Sequence, residues 1–167
     1  MTDAPELAQI ARAGGSIEAR FARSLPHGRE AVWAMLTAEA NLPLWLAPGR
    51  IELREGGAAK INFADSGTII DSKVSAYDSG RLIEYSWSAA GEPARPVRWE
   101  LNDAGDGTRL SLIVRTPAGE DAARAAAGWE AHLDMLEAAL EGVPIKFPFE
   151  RFKAAREAYK ARLQDGA

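Results

Sequence analysis

Apolar and polar residues alternate along the middle of the chain, which is the pattern of a β-sheet with one buried face. The segment RLIEYSWS places Ile83, Tyr85 and Trp87 on one face, and PVRWELN and TRLSLIVRT repeat the alternation. Between residues 51 and 116 the pattern predicts six strands, separated by Gly-, Asp- and Ser-containing breaks of hairpin length. Together with the earlier segment SIEARFARSL, it predicts an antiparallel sheet of about seven strands.

The spacing of apolar residues predicts helices on both sides of these strands. REAVWAML and AEANLPLWL predict two short helices after the first strand, and a long helix is predicted from about Glu120 to Gly142. At the N-terminus, DAPELAQIARAGG predicts a short helix that Asp3 opens and Gly14 ends. The predicted class is α+β, with the long helix covering the apolar face of the sheet.

After the long helix, FPFERFKAAREAYKARL predicts a terminal amphipathic helix. Its apolar residues near one face are Phe149, Phe152, Tyr159 and Leu163. Its basic residues, which predict a solvated face or a contact with an acidic partner, are Arg151, Lys153, Arg156, Lys160 and Arg162. We therefore divide the chain into an N-terminal arm at 1–15, a folded domain at 16–143 and a C-terminal helical extension at 144–167.

Composition and charge narrow the function classes. Lys and Arg number 20 against 24 Asp and Glu, so the formal net charge is -4 and no broad basic surface for nucleic acid is expected. Because there is no cysteine, a disulfide framework and a thiolate zinc site are excluded. No apolar run approaches the roughly 18 residues of a membrane helix, and the acidic N-terminus lacks the features of a signal peptide. We therefore expect a cytoplasmic protein without a membrane span.

The sequence also lacks the signatures of common catalytic sites. It contains no Gly-rich phosphate loop, no Gly-x-Ser-x-Gly and no His-Glu-x-x-His. The two histidines are more than a hundred residues apart, so we predict no metal and no cofactor. His27 lies in a Pro-His-Gly turn, a typical surface position, whereas His132 lies in the long helix.

Four stretches, in this order, resemble a known family: AVWAMLTAEANLPLWL, GTIIDSKVSAYDSGRLIEYSW, GDGTRLSL and GWEAHLDMLEAAL. They are similar to SRPBCC (START-like) proteins, and more narrowly to homologues of the C-terminal domain of the heat-shock-protein-ninety ATPase activator. The resemblance covers about Ser16 to Gly142. It implies a helix-grip fold, as in birch-pollen-allergen-like proteins, in which a long C-terminal helix packs on a curved antiparallel sheet. It also makes a chaperone a candidate partner.

The long helix has one apolar side, because successive residues rotate by ~100°. The apolar residues within roughly 40° of Trp129 are Leu133, Leu136, Leu140 and Val143. Glu130, Asp134 and Glu141 lie roughly 100° or more to one side. His132 lies roughly 60° to the other side, at the edge of the apolar stripe, where it either packs with a hydrogen bond or meets a ligand.

The first half of the long helix, EDAARAAAG, is rich in alanine, and small side chains facing a concave sheet leave room for a cavity. The alternative is that the aromatic residues simply fill the core. The candidate ligand-binding residues are Trp33, Trp45, Phe63, Tyr85, Trp87, Trp99, Trp129, His132 and Met135.

The sequence is compatible with three functions. The first is a non-catalytic binding module with an apolar, aromatic-lined cavity for a small hydrophobic or aromatic molecule. The second, implied by START-like relatives, is a cyclase or dehydratase in which His132 polarises a carbonyl, although no orienting partner for a general base is evident. The third, implied by the family name, is an interaction protein acting on a chaperone ATPase. A second copy of the chain, forming a homodimer, is a further candidate partner.

Overall fold

The computed structural model describes residues 7–63 and 68–164. These residues form eight strands and four helices. The strands are β1 (Gln9–Ala13), β2 (Ser16–Leu25), β3 (Gly49–Ile51), β4 (Ala58–Phe63), β5 (Thr68–Asp78), β6 (Leu82–Ser86), β7 (Pro96–Ala104) and β8 (Gly107–Pro117). The helices are α1 (Arg29–Thr37), α2 (Leu42–Trp45), α3 (Ala122–Leu140) and α4 (Phe149–Gln164).

The strands form one antiparallel sheet in the order β1-β2-β8-β7-β6-β5-β4-β3. Six consecutive strands from β3 to β8 are neighbours, so the predicted meander is confirmed. Trp99 of β7 lies opposite Ile83 of β6 and Leu112 of β8, which places three of the predicted apolar sets on the same buried face. A register shift between Val74 and Ala76 in β5 is an irregularity of the kind that bends a strand.

The predicted two short helices and the long helix are also confirmed. The N-terminus of α3 is capped by Asp121, whose side chain accepts a hydrogen bond from the Arg124 backbone N–H at 3.0 Å. Gly142, with φ of +80°, follows its end, as the sequence indicates. The core lies between the sheet and α3, and α1 and α2 close its side. None of the helices described combines the length and the apolar character needed to cross a bilayer.

The N-terminal segment is a strand over Gln9–Ala13, so the prediction of a helix is wrong there. Gly14 and Gly15 form a two-residue hairpin loop between β1 and β2, with Ala13 paired to Ser16 and Gly14 at φ of +62°. This turn geometry, together with pairing to β2, outweighs the helical spacing of the segment. The sheet therefore has eight strands instead of about seven, and the predicted cap at Asp3 lies outside the described residues.

The predicted terminal helix is confirmed as α4, which packs on α3 and β1. Tyr159 is fully buried, and its hydroxyl donates to Glu130 Oε1 at 2.5 Å while accepting from the Ala8 backbone N–H at 2.8 Å. Phe152 and Leu163 are half-buried. Phe149, however, is 66% exposed, so it is not part of the packed face.

A buried ion-pair network joins β2, α3 and α4. Glu130 of α3 has no exposed surface, and it pairs with Arg23 of β2 and with Arg151 of α4. Arg23 and Arg151 also bind Asp134, at 3.0 and 2.9 Å. Burial disfavours the charge on Arg23, but the carboxylates of Glu130 and Glu137 outweigh burial and raise the pKa of the guanidinium.

The surroundings of α3 differ in two places from what the sequence predicts. Glu130 and Asp134 lie on a side of α3 outside the apolar stripe, as predicted. This side is covered by α4, so Arg151 of α4 is partly buried there, whereas the sequence predicts a solvated position. Val143, predicted to lie in the stripe, is 63% exposed because α3 ends at Leu140.

We expect Glu130→Ala to lower the free energy of unfolding by about 3–5 kcal/mol, because it removes the one fully buried carboxylate of the network and leaves the buried Arg23 with fewer anions around it. The measurement is urea denaturation followed by circular dichroism. Glu150→Ala is the matched control, since Glu150 is 92% exposed, and it should change the stability by less than about 0.5 kcal/mol. Equal losses in both variants would contradict a structural role for the network.

Candidate functional site

Seven side-chain rings from several parts of the chain contact one another in series, and we call them the aromatic cluster. They are Trp45, Phe63, Trp87, Trp99, Trp129, His132 and Phe147. Neighbouring ring centroids are 4.8 to 6.0 Å apart and the ring planes are steeply inclined to each other. These are the edge-to-face contacts that aromatic pairs prefer.

The inner end of the cluster is fully buried. Trp45, at the end of α2, meets Trp99 of β7 at 5.7 Å and donates from its indole N–H to the Met35 carbonyl at 2.7 Å. Trp129 of α3 stands at the centre, 5.7 Å from Trp99 and 4.8 Å from Trp87. Because Trp129 occupies the space between Trp87, Trp99 and α3, the aromatic rings fill this part of the interior.

The outer end of the cluster is half-buried. It is formed by Phe63 at the end of β4, Trp87 directly after β6, His132 of α3 and Phe147 of the α3–α4 connection. We call these four residues the aromatic rim. The Phe63 ring lies 5.5 Å from Trp87 and 5.9 Å from His132, and the Phe147 ring lies 5.5 Å from His132. The rim therefore brings four apolar or weakly polar rings to the boundary of the core.

His132 is held by one hydrogen bond and by three rings. Its Nδ1 lies 3.0 Å from the backbone oxygen of Trp45, and its ring contacts Phe63, Trp129 and Phe147. A carbonyl oxygen only accepts hydrogen bonds, so Nδ1 carries the proton and donates. Burial lowers the pKa of the imidazole, while the hydrogen bond to Trp45 opposes this effect in part. The ring is thus neutral at pH 7, with the lone pair on Nε2.

Three of the predicted site residues take no part in the aromatic cluster. Trp33 of α1 contacts Tyr77 of β5 instead, at 6.1 Å. Tyr85 is buried in the sheet, and burial raises the pKa of its hydroxyl. Met135 is half-buried and packs against the core. The remaining six predicted residues, together with Phe147, form the cluster.

Phe147 is the site residue that the sequence analysis missed. It lies in FPF, directly after the predicted end of the long helix, and an aromatic residue between two helices is the signal that identifies it. The prediction assigned this segment to the start of the amphipathic helix, but α4 begins at Phe149. Phe147 therefore lies in a connection without helix or strand, and its ring also contacts Phe149 and Phe152 of α4, at 4.9 and 5.5 Å.

The structure places the second histidine away from the aromatic rings. The Nε2 of His27 lies 2.5 Å from Glu141 Oε2, so this pair joins the loop after β2 to the C-terminal end of α3. Within residues 7–63 and 68–164, no three His, Cys, Asp or Glu side chains converge in a way that could hold a metal ion.

Two surface concavities also lie outside the cluster. One, of about 430 Å³, is lined by the end of β2 and the β7–β8 hairpin, including Leu25 and Thr108. The other, of about 330 Å³, is lined by residues around β3 and β4, including Arg50 and Ile61. Neither concavity includes a residue of the aromatic cluster.

The fold agrees with comparisons to known proteins. A family model described as activator of Hsp90 ATPase homolog 1-like protein matches residues 26–141, which is most of the chain. The chain belongs to this family. The family is part of the SRPBCC superfamily, as the order of the four sequence stretches indicates. No curated protein sequence matches the chain.

Three solved structures illustrate the likeness. CalU16 from Micromonospora echinospora is 23% identical with a TM-score of 0.75, and the match covers 93% of each chain. Protein BPP1335 from Bordetella parapertussis is 27% identical with a TM-score of 0.73, over 95% of this chain and 91% of that one. DynU16, described as a protein in the dynemicin biosynthetic locus, is 24% identical with a TM-score of 0.68, over 76% of this chain and 48% of its own.

The lowered pKa of His132 predicts a pH dependence of stability. The unfolded ring takes up a proton near pH 6.5, whereas the folded ring does so at lower pH, so stability is retained above about 6.5 and falls as the pH decreases below it. Carboxylates with lowered pKa, such as Glu18 and Asp121, contribute at more acidic pH. Urea denaturation between about pH 7.5 and pH 5 should show a smaller decrease for His132→Phe than for the wild type. Parallel curves would contradict the assignment.

Proposed function

We propose that this protein is a non-catalytic binding module for a small apolar or aromatic ligand, which packs against the aromatic rim. The observation that carries the proposal is the rim itself: Phe63, Trp87, His132 and Phe147 form a half-buried, ring-lined end of an otherwise closed core. Small-molecule sites are lined mainly by aromatic and apolar side chains, with few polar groups among them.

The binding free energy sets a minimum size for the ligand. Burying roughly 200 Å² of apolar ligand surface contributes about 5 kcal/mol, at about 25 cal/mol for each Å². Association costs about 4 kcal/mol or more, so one small ring binds only weakly. A ligand with two or more fused rings is therefore favoured, because it buries more apolar surface at little added conformational cost.

A ligand reaches the rim most easily by displacing Phe147. The Phe147 ring covers one side of His132, and it lies on the connection at residues 141–148, which forms neither helix nor strand. By contrast, Phe63, Trp87 and His132 lie in or next to regular elements that the sheet and α3 hold in place. Movement of the connection would open the rim without breaking the hydrogen bonds of the sheet.

The comparisons support a ligand of this kind. Proteins of the SRPBCC fold commonly bind small hydrophobic molecules. DynU16 lies in a biosynthetic locus, and its likeness to this chain is consistent with a small metabolite as the ligand.

A second candidate, favoured by the family match, is an interaction with a chaperone ATPase. A pull-down with the purified chaperone and an ATPase assay test it, and a lack of both binding and stimulation would remove it.

The enzymatic alternative has less support from the geometry of His132. To polarise a carbonyl, the free nitrogen of the ring would have to donate a hydrogen bond, but the bond from Nδ1 to Trp45 leaves Nε2 without a proton in the neutral ring. A histidine that acts as a base is normally oriented by an acid, whereas the orienting group here is a backbone carbonyl.

We expect Phe147→Ala to strengthen binding of naphthalene-type probes by about fivefold. The aromatic pair between Phe147 and His132 is worth about 1 kcal/mol, which a ligand no longer has to displace. Dissociation constants can be measured by quenching of tryptophan fluorescence. Val143→Ala is the control, because Val143 lies in the same connection and is 63% exposed. Weaker binding in Phe147→Ala would make Phe147 a wall of the site, and no binding to either protein would overturn the proposed function.

A further inference from the structure

We propose that Nε2 of His132 accepts a hydrogen bond from the ligand, so that the ligand is an apolar ring system carrying a hydroxyl or N–H donor. This inference rests on the proposed function, and it adds a chemical class to it. It concerns His132, which among the four side chains of the aromatic rim is the one with a hydrogen-bond acceptor.

The first step is the identity of the free nitrogen. Nδ1 is committed as a donor to the Trp45 carbonyl at 3.0 Å, and the main-chain position of that oxygen is fixed by the end of α2. The neutral imidazole has one N–H, so Nε2 is an acceptor with one lone pair in the plane of the ring.

The second step is that Nε2 has no partner. Across residues 7–63 and 68–164, no hydrogen bond is made to this atom, and the ring is half-buried. The rings around it belong to Phe63, Trp129 and Phe147. The phenylalanine rings offer no conventional donor, and among the described residues the indole N–H of Trp129 makes no hydrogen bond to His132. In the free protein Nε2 still reaches solvent. A ligand that covers this atom without offering a donor would leave it unpaired, at a cost of about 1–3 kcal/mol, whereas a ligand with a donor would avoid that cost.

The third step is the position of this acceptor within the site. Phe147, which we propose the ligand displaces, contacts the same imidazole ring. A ligand ring in place of Phe147 would therefore lie beside His132, with its apolar surface against the rim. A hydroxyl or N–H at the edge of that ring could reach the lone pair.

The arrangement also disfavours other polar groups on the ligand. A carbonyl or ether oxygen would face a lone pair with another lone pair, and a carboxylate would bring a charge into apolar surroundings. Discrimination of this type arises because a buried polar group is left unpaired by the wrong ligand. Phenols, hydroxylated polycyclic compounds and indole-like rings meet the requirement, whereas ketones, quinones and fatty acids do not.

Three probes with one skeleton test the inference: naphthol carries a donor, its methyl ether carries only an acceptor, and methylnaphthalene carries neither. For the wild type near pH 7.5, where the ring is neutral, naphthol should bind about fivefold more tightly than methylnaphthalene, and the ether should bind no better than methylnaphthalene. The probes are fitted by titration calorimetry or by shifts of the tryptophan indole N–H signals in NMR spectra. Because naphthol is the least hydrophobic of the three, simple partitioning predicts the opposite order.

The matched variant is His132→Phe, which keeps the ring and removes the acceptor. It should bind all three probes with constants within about twofold of one another. If the wild type binds the probes without preferring naphthol, or if His132→Phe keeps the preference, the inference is overturned while the proposed function stands. If no probe binds the wild type, the proposed function fails. The order of the probes on the wild type decides the matter even if the variant does not fold.

Discussion

The ion pair between Arg23 and Glu130 is the interaction on which the arrangement of the rest depends. Glu130 has no exposed surface and Arg23 almost none, so each buried charge depends on ion-pair partners, and each is a partner of the other. Arg23 belongs to a strand in the sheet and Glu130 to the helix that covers it. The pair therefore fixes the rotation of α3 about its own axis, since a turn of even one residue would separate the charges.

The rotation of α3 determines which residues face the aromatic cluster. With Glu130 directed toward Arg23 and α4, the preceding Trp129 points into the core and His132 lies on the side near α2. One side of the helix is thus held by charges, and the other presents its rings. The alanines at its start, including Ala126 and Ala127, are buried, which lets the sheet and α4 both approach the helix closely. The polar network and the apolar site are two sides of the same helix.

The sequence predicted well where one local pattern decided the structure. The alternation in β6, β7 and β8 located the meander, and the position of His132 at the edge of the apolar stripe agrees with its partly buried ring. The predictions were incomplete or wrong where contacts between segments far apart in the chain determine the structure. The burial of Glu130 depends on Arg23, which is more than a hundred residues away, and on α4. The strand at Gln9–Ala13 depends on a partner strand, and the position of Trp33 depends on a contact with Tyr77 of the distant strand β5.

The ion network also bears on where this domain can be cut. The family match spans residues 26–141, so it contains Glu130 but begins after β2 and ends before α4. Among residues 7–63 and 68–164, the side chains that bind the carboxylate of Glu130 are Arg23, Arg151 and Tyr159, and all three lie outside those limits. A fragment limited to residues 26–141 would therefore retain the buried carboxylate of Glu130 on α3 without these partners. The segments on either side of the family pattern thus supply the partners that stabilise this buried charge.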